Sequence, residues 1–464
     1  MLSRRTFLAA GSASLLSSQT GPARPNLVLF LSDDHGFYDS PVYGSRAVRT
    51  PNMELLAKDG LVFTEAFTGS PTCVPSRSIL MSGLLPARNG ALPNHSGLTP
   101  GVPTMPTFLK AAGYDVVHFG KSHFQPASSF PDWTTVPSEI KGGPLNADLD
   151  TTVVDKWLAA RAASNSAKPV CLVVCSHSPH VYWRQNEGYD PAKVELPPTF
   201  ADTPETRSER TKYYSDITFA DQQLGEVYRS CNRHLSRNTL FLYTSDNGAQ
   251  WPFAKWSLYD AGIHMPFLAV WPDVISPGAR TDAMISFCDL MPTFIDLAGG
   301  RTPVGLDGKS FAPVLLGKAK QHRTEIYAAH SGDKDFNVFP TRCVRTKQFK
   351  YILNLHPEFE YTTHIDVAGP NNGRIYFDSW VAKAKSASGA AAVVRRYHEH
   401  PAEELYDVKA DPHEMRNLAG EPKHSAVLRE LRGKVRAWMK AQGDEGKVFG
   451  NPRLLSGVKV KESK

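Results

Sequence analysis

Residues of the kinds that bind metals and transfer protons follow four separate apolar segments of the sequence. They form the groups Asp33-Asp34-His35, Lys121-Ser122-His123, His177-Ser178-Pro179-His180 and Asp246-Asn247-Gly248. Each group by itself is equally well explained as a polar turn or a helix cap. Four such groups after four apolar segments instead indicate one functional site.

The side chains of Asp33, Asp34, Asp246 and Asn247 offer only oxygen atoms to a metal. Oxygen ligands select a hard cation such as Ca²⁺ or Mg²⁺ rather than Zn²⁺. The alternative is a plain Asp-Asn-Gly turn. The Asp pair weakens that alternative, because adjacent carboxylates repel each other unless a cation offsets their charge. The sequence therefore predicts a site for one divalent cation.

Cys73 opens the segment Cys73-Val74-Pro75-Ser76-Arg77, which runs on to Gly83. Pro75 suits the first turn of a helix that ends near Gly83. Cys73 would then lie at the helix N-terminus, where backbone N–H groups and the helix dipole favour an anion. Arg77, one turn further on, would direct its charge to the same place. A buried structural cysteine is the alternative explanation.

Short, continuously apolar runs alternate with amphipathic segments up to about residue 320. The runs suit strands buried on both faces and lie at 26–32, 115–119, 170–175, 239–244 and 266–271. Helices are predicted between them, at 51–60, 104–113 and 208–231. This alternation predicts an α/β fold with a large, mostly parallel mixed sheet flanked by helices. Ligands of such sheets bind beyond the carboxyl ends of the strands, where the four polar groups lie.

The alternation stops beyond about residue 321. A hairpin-like strand pair is predicted at 342–355 and a terminal amphipathic helix at 424–441. We therefore divide the chain into four regions, which are a signal peptide (1–23), a catalytic domain (24–320), a smaller C-terminal α+β domain with an antiparallel sheet and a terminal helix (321–445), and a basic tail (446–464).

The net positive charge of the sequence comes from its two ends. The chain has 464 residues and a formal net charge of +6. Arg4 and Arg5 contribute +2, and the segment 447–464 contributes +4, so the remainder is neutral. Outside the tail there is no Lys/Arg run with interleaved aromatic residues, which argues against a nucleic-acid partner. No apolar run reaches the about 18 residues of a membrane span.

The N-terminal segment resembles a twin-arginine export signal. Ser3-Arg4-Arg5-Thr6-Phe7-Leu8 precedes a small and apolar stretch, as in these signals. We expect export by the twin-arginine machinery to the periplasm or the extracellular medium. The six cysteines do not indicate a disulfide framework, because Cys171 and Cys175 would lie about 13 Å apart in one strand.

The segment from Cys73 to Arg77 resembles the C-x-P-S-R motif of the sulfatase family, whose cysteine is oxidised to formylglycine. The Asp33-Asp34 and Asp246-Asn247 pairs resemble the family's metal site, to which residue 73 also belongs. Further motifs are matched at Gly120-Lys121-Ser122-His123, Pro179-His180 and 255–266. The resemblance covers residue 25 to about residue 440 and implies an alkaline-phosphatase-like fold. A thiol suits a hard cation poorly, whereas a formylglycine hydrate supplies oxygen.

The resemblance also implies roles for the candidate residues. The hydrate at residue 73 would attack sulfur beside one divalent cation, for which we favour Ca²⁺ over Mg²⁺, and the charge would be stabilised by Arg77, Lys121 and Lys255. His180 would protonate the leaving group, and His123 would take a proton from the second hydroxyl. Weaker candidates for substrate contact are His177, His35 and His95. A formylglycine-generating maturase is an implied partner.

Within the family, the segments 176–180 and 340–355 resemble the N-sulfoglucosamine sulfohydrolase (heparan N-sulfatase) group. Lys255 departs from that group, which has Arg there. We therefore expect hydrolysis of a sulfate ester or sulfamate on a sulfated carbohydrate, with an N-sulfoglucosamine type favoured. The alternatives are a phosphonate or phosphate monoester hydrolase of the same superfamily and a non-catalytic binder of sulfated glycans.

Overall fold

The computed structural model describes residues 24–140 and 148–457. The predicted signal peptide and the last seven residues of the predicted tail lie outside these ranges. The strands are β1 (Asn26–Ser32), β2 (Leu61–Phe63), β3 (Ala66–Phe67), β4 (Asp115–Gly120), β5 (Thr134–Val136), β6 (Glu139–Ile140), β7 (Asp148–Leu149), β8 (Val170–Cys175), β9 (Thr239–Ser245), β10 (Phe267–Val270), β11 (Ala279–Thr281), β12 (Ile285–Ser286), β13 (Glu325–His330), β14 (Thr341–Thr346), β15 (Phe349–Asn354) and β16 (Glu403–Asp407).

The α-helices lie between and after these strands. They are α1 (Pro51–Asp59), α2 (Cys73–Ser82), α3 (Pro86–Asn89), α4 (Met105–Ala111), α5 (Thr151–Ala163), α6 (Pro204–His234), α7 (Asp260–Ile263), α8 (Leu290–Leu297), α9 (Ala312–Leu315), α10 (His364–Val367), α11 (Arg374–Ala384), α12 (Ser388–His398) and α13 (Ser425–Gln442).

A central sheet of eight strands has the order β11-β2-β10-β9-β1-β8-β4-β5. The strands from β9 to β5 in this order run parallel, whereas β10 is antiparallel to both β9 and β2. Ser32 of β1 pairs with Ser245 of β9, so these two strands end level with each other. The sequence-based prediction of a mostly parallel, mixed sheet is confirmed.

Side-chain alternation along β1 explains why helices cover both faces of the sheet. Leu27, Leu29 and Leu31 pack into one apolar layer, together with residues of α2, α4 and α8. Val28 and Phe30 pack into the opposite layer, with residues of α1, α5 and α6. A strand that is apolar on both faces is stable only between two such layers.

The four strands β13 to β16 form a second, antiparallel sheet. Val344 and Tyr351 on one face pack against α13, while Cys343 and Ile352 on the other face pack against the main body of the molecule. The predicted antiparallel sheet and terminal helix are therefore confirmed. The division of the chain at residue 320 stays a prediction.

The described residues also bear on disulfide bonds and on membrane-spanning helices. All six cysteines are buried, and none of them is paired in a disulfide. Among the helices at 24–140 and 148–457, none combines the length and the apolar character that crossing a membrane requires.

Candidate active site and metal centre

Four neighbouring strands deliver the polar groups to one edge of the central sheet. β9, β1, β8 and β4 are consecutive in the sheet, and each of the four groups begins within two residues of the end of one of them. Gly120 ends β4 at a φ of +75°, and a Cβ there would lie 2.0 Å from the carbonyl oxygen of Cys175. Glycine therefore allows Lys121 to leave the strand beside β8.

Three carboxylates and one sulfur meet at this edge. Ligand atoms of Asp33, Asp34, Cys73 and Asp246 all lie within 4.8 Å of one another, and all four residues are buried. Asn247 donates its amide to Asp34 Oδ1 at 2.7 Å, while its own Oδ1 is buried without a protein partner. Three carboxylates with an unpartnered amide oxygen are a donor set that fits a hard divalent cation. The structure thus brings the predicted metal ligands together.

Each carboxylate of this cluster contacts its own cationic side chain. The pairs are Lys121 with Asp33, Lys255 Nζ with Asp34 Oδ2 at 2.6 Å, and Arg77 Nε with Asp246 Oδ2 at 2.9 Å. Buried charges require such partners, because desolvation of an uncompensated ion is costly. The three cations predicted to stabilise charge therefore surround one point.

Burial and neighbouring charges act against each other in this cluster. Burial would raise the pKa of Asp33, yet Lys121 and other nearby cationic groups hold that pKa well below its usual range. Burial and the Asp33 charge outweigh Arg77 and raise the pKa of Asp246 to about 7. Burial also raises the pKa of the Cys73 thiol well above its usual value. Cys73 in its thiol form is thus a poor nucleophile and a poor metal ligand.

Helix α2 holds residue 73 in position. All ten of its residues are buried, the Ser76 hydroxyl donates to the Asp246 carbonyl, and Gly83 ends the helix at a φ of +66°. At the other end, the hydroxyls of Ser70 and Thr72 are buried without a partner. The helix N-terminus, as predicted from Pro75, therefore lies at the carboxylate cluster with two free hydroxyl groups beside it.

Two predicted histidines lie close to the cluster. His180 Nε2 is 3.8 Å from Asp34 Oδ2, and its Nδ1 donates to the Val181 carbonyl. That bond leaves Nε2 as the nitrogen on the cluster side. Burial, Lys121 and Arg77 lower the pKa of His123 to about 3, so this imidazole is neutral in the structure.

The three weaker candidates have different surroundings. His177 Nε2 is 3.2 Å from Glu139 Oε1 and its side chain is 12% exposed, which places it at the margin of the site. The His95 ring lies 5.4 Å from the His123 ring and meets it edge to face. His35 is 1% exposed, and both of its ring nitrogens bond to the protein, at Tyr243 and Asp39. The substrate-contact prediction for His35 is therefore replaced by a packing role.

Sequence reasoning missed Asp333, a buried carboxylate that contacts Asn94, His95 and Trp256. It follows β13 and is distant in sequence from all four polar groups. No local pattern distinguishes it from Asp335, two positions later, which is exposed. Only the contacts between distant segments separate these two residues.

A family model described as "Sulfatase" matches residues 25–300, which is more than half of the chain. The chain belongs to the sulfatase family. A second model, "N-sulphoglucosamine sulphohydrolase, C-terminal", matches residues 248–371 and thus reaches into the antiparallel sheet. The predicted sulfuric ester hydrolase is confirmed at the level of this family.

Two curated relatives and one solved structure illustrate the similarity. This sulfatase is 35% identical to an "Ulvan-active sulfatase" of Formosa agariphila, over 91% of this chain and 81% of that protein. It is 27% identical to the human "N-sulphoglucosamine sulphohydrolase", over 90% of both chains. A solved structure of a "2-O GAG sulfatase" has the same fold, with a TM-score of 0.68, 21% identity, and coverage of 92% of this chain and 95% of that one.

The donor set predicts that Ca²⁺ or Mg²⁺ raises the thermal stability of this sulfatase. A ligand bound only by the folded state stabilises it by about 2.7 kcal/mol at about 100 times its Kd. Asp246→Asn removes one carboxylate and should abolish most of this shift in a thermal unfolding experiment with and without chelator.

The matched control is Asp221→Asn. Asp221 is also buried, but it accepts N–H bonds from Asn52 and Met53 and lies outside the cluster. Its variant should keep the metal-dependent shift. An undiminished shift in Asp246→Asn would contradict the assignment of the ligands.

Proposed function

We propose that this sulfatase removes sulfate groups from a carbohydrate by means of formylglycine at residue 73 and one divalent cation, with Ca²⁺ favoured. The observation that carries the proposal is the position of Cys73, at the N-terminus of the buried helix α2 and within 4.8 Å of three carboxylates. A neutral thiol has no function among hard-cation ligands, whereas an oxygen-bearing residue does.

Asp33, Asp34, Asp246 and Asn247 would hold the cation, which would supply Lewis acidity, and the hydrated aldehyde at residue 73 would supply a hydroxyl nucleophile. The chain itself supplies positive charge on three sides, from Arg77, Lys121 and Lys255. These groups are buried or nearly so, with side-chain exposures of 0%, 13% and 2%. Fixed cations in a site shielded from water stabilise developing negative charge strongly. We therefore assign them to the sulfuryl oxygens.

His180 and His123 are assigned to proton transfer. The Nδ1–H of His180 is engaged by a backbone carbonyl, which orients Nε2 toward the cluster, where a leaving-group oxygen or nitrogen would depart. His123 stands next to Lys121 in the chain, with its Nδ1 buried and unpartnered. We propose that His180, in its imidazolium form, gives its Nε2 proton to the leaving group as the bond from that group to sulfur breaks. His123 would then withdraw a proton from the second hydroxyl of residue 73, which would expel sulfate and restore the aldehyde.

The substrate is proposed to be a sulfated carbohydrate. One relative is named for activity on ulvan and another for N-sulphoglucosamine. The sequence features at 176–180 and 340–355 favour the N-sulfoglucosamine type, while Lys255 departs from that group. Both substrate types therefore belong in the test.

Export is proposed as well. The sequence Ser3-Arg4-Arg5-Thr6-Phe7-Leu8 supports passage through the twin-arginine machinery, and the proposed oxidation of Cys73 requires a maturase in the producing cell. The export machinery and the maturase are both inferred from sequence features alone.

Oxidation of residue 73 is tested by mass spectrometry of its peptide after expression with a formylglycine-generating maturase. The peptide should lose the thiol and gain an aldehyde. Cys73→Ala should lose sulfate release from every substrate, whereas Cys231→Ala, which removes another buried cysteine outside the site, should retain it. Full activity of Cys73→Ala would contradict the proposed mechanism.

Release of sulfate and phosphate from matched aryl esters separates the sulfatase from a phosphate or phosphonate monoester hydrolase. We expect a higher kcat/KM for the sulfate. A panel of N-sulfo- and O-sulfo-glucosamines, ulvan oligosaccharides and an aryl sulfate then identifies the substrate type. Faster phosphate release would favour the phosphatase alternative, and saccharide binding without turnover would favour the glycan binder.

Replacement of both Arg4 and Arg5 by Lys should block export, because the paired arginines are the recognised feature of such signals. Immunoblots of periplasmic, medium and cytoplasmic fractions measure the outcome. Replacement of Lys461 and Lys464 by Arg, at the other end of the chain, is the control and should not change the distribution. Unchanged export of the Lys-Lys variant would refute the assignment.

A further inference from the structure

Asp333 joins three segments that border the active site. It follows β13, is 1% exposed, and accepts hydrogen bonds from Asn94 Nδ2 at 2.8 Å, His95 Nδ1 at 2.9 Å and Trp256 Nε1 at 2.8 Å. His364 Nδ1 lies 3.8 Å from the same carboxylate. Burial would raise the pKa of Asp333, but these donors hold it well below its usual range. Asp333 is thus a buried anion stabilised by hydrogen bonds and imidazoles.

The three residues that donate hydrogen bonds to Asp333 each contact or adjoin a residue of the proposed catalytic site. Asn94 Oδ1 accepts the N–H of Val74 at 3.3 Å, directly after residue 73. Lys255 Nζ lies 5.3 Å from the centre of the Trp256 ring. His95 meets the His123 ring. One carboxylate from the connection between β13 and β14 of the second sheet therefore bonds to the groups that border residue 73, Lys255 and His123.

Asn94, His95, Trp256, Asp333 and His364 together form one wall of the site, and the backbone conformation supports a functional role for this wall. His95 and Trp256 have φ values of +59° and +69°, and Asp34 and His123 have +68° and +42°. Non-glycine residues in this region are strained, persist only where contacts over-determine them, and cluster at functional sites. Asp333 provides such contacts for His95 and Trp256.

The wall offers the chemistry of a sugar contact. The His95 side chain is 33% exposed, and its Nδ1–H is held by Asp333, which leaves Nε2 available to a ligand as a hydrogen-bond acceptor whenever it carries no proton. His364 stacks between Trp256, at 5.1 Å, and Phe336, at 4.1 Å, and its side chain is 20% exposed. An aromatic surface beside an oriented acceptor suits a ring that bears hydroxyl groups.

We propose that Asp333 is a positioning residue that orients His95 to accept a hydrogen bond from the sugar that carries the sulfate group. This wall then selects sulfated saccharides over sulfates that lack a sugar. The inference rests on the proposed function and adds the part of the substrate that this wall recognises. It also makes the segment after β13 a determinant of specificity.

The test compares kcat and KM for a sulfated saccharide and an aryl sulfate, with protein whose residue 73 has been oxidised. His95→Ala should lower kcat/KM for the saccharide at least tenfold more than for the aryl sulfate, mainly through KM. His95→Asn keeps an amide where Nδ1 was, so it preserves the Asp333 bond but lacks the sugar contact, and it should show the same loss. His95→Gln places an amide oxygen near the position of Nε2 and should restore part of the preference.

Asp333→Asn replaces one carboxylate oxygen by an NH₂ group, which would face the N–H donors of Asn94, His95 or Trp256. Like His95→Ala, it should lower the preference for the saccharide over the aryl sulfate. The matched control is His234→Ala. His234 is also paired with a carboxylate, Asp155, at 3.2 Å, but it ends α6 just before β9 begins, at the opposite edge of the sheet. It should leave both substrates unaffected.

Equal losses on both substrates in the His95 variants, or an unchanged saccharide preference in His95→Ala and His95→Asn, would overturn the inference. A destabilised Asp333→Asn with an unchanged preference would also overturn it, by showing a structural role alone. Oxidised wild-type protein that releases no sulfate from any substrate would instead overturn the proposed function, and this inference with it.

Discussion

The site depends on one electrostatic constraint, which is that three carboxylates lie within 4.8 Å of one another and away from water. Like charges at this distance repel strongly in a buried environment, so positive charge must be supplied from several directions. Arg77 comes from α2, Lys121 from the end of β4, and Lys255 from the loop after β9. The same arrangement that stabilises the cluster also suits it to the proposed cation and to an anionic substrate.

The parallel sheet meets this constraint because the carboxyl ends of adjacent strands converge at one edge. β9 and β1 are in register at Ser32 and Ser245, so the acidic pairs that follow them are neighbours. Helix α2 is buried along its entire length, which prevents residue 73 from moving relative to the carboxylates. Catalytic groups on such rigid elements need little reorganisation during reaction.

The antiparallel sheet is part of the same structure rather than an appendage. Lys350 of β15 contacts Asp260 and Glu414, and Asp260 begins the short helix α7, five residues after Lys255. Asp333, at the start of the connection from β13 to β14, bonds to the segments beside residue 73 and Lys255. The second sheet therefore supports the catalytic site from one side, and the C-terminal family model spans both regions.

Much of the fold and most of the site could be predicted from local sequence. Apolar runs such as 26–32 and 170–175 are too short for buried helices flanked by turns and long enough for buried strands. Residue types alone predicted Asp33, Asp34, Asp246 and Asn247 as oxygen ligands, and the structure brings these four residues together. What the sequence could not assign were roles that depend on contacts across the chain. His35 and His95 are the same residue type in similar polar surroundings, yet Tyr243 and Asp39 enclose the first, while Asp333 leaves the second exposed on one side. Asp333 itself is 238 positions from His95.

Local patterns determined which elements form, whereas only tertiary structure decided which side chains face the cleft, because burial and hydrogen bonding of a side chain depend on segments that are distant in sequence.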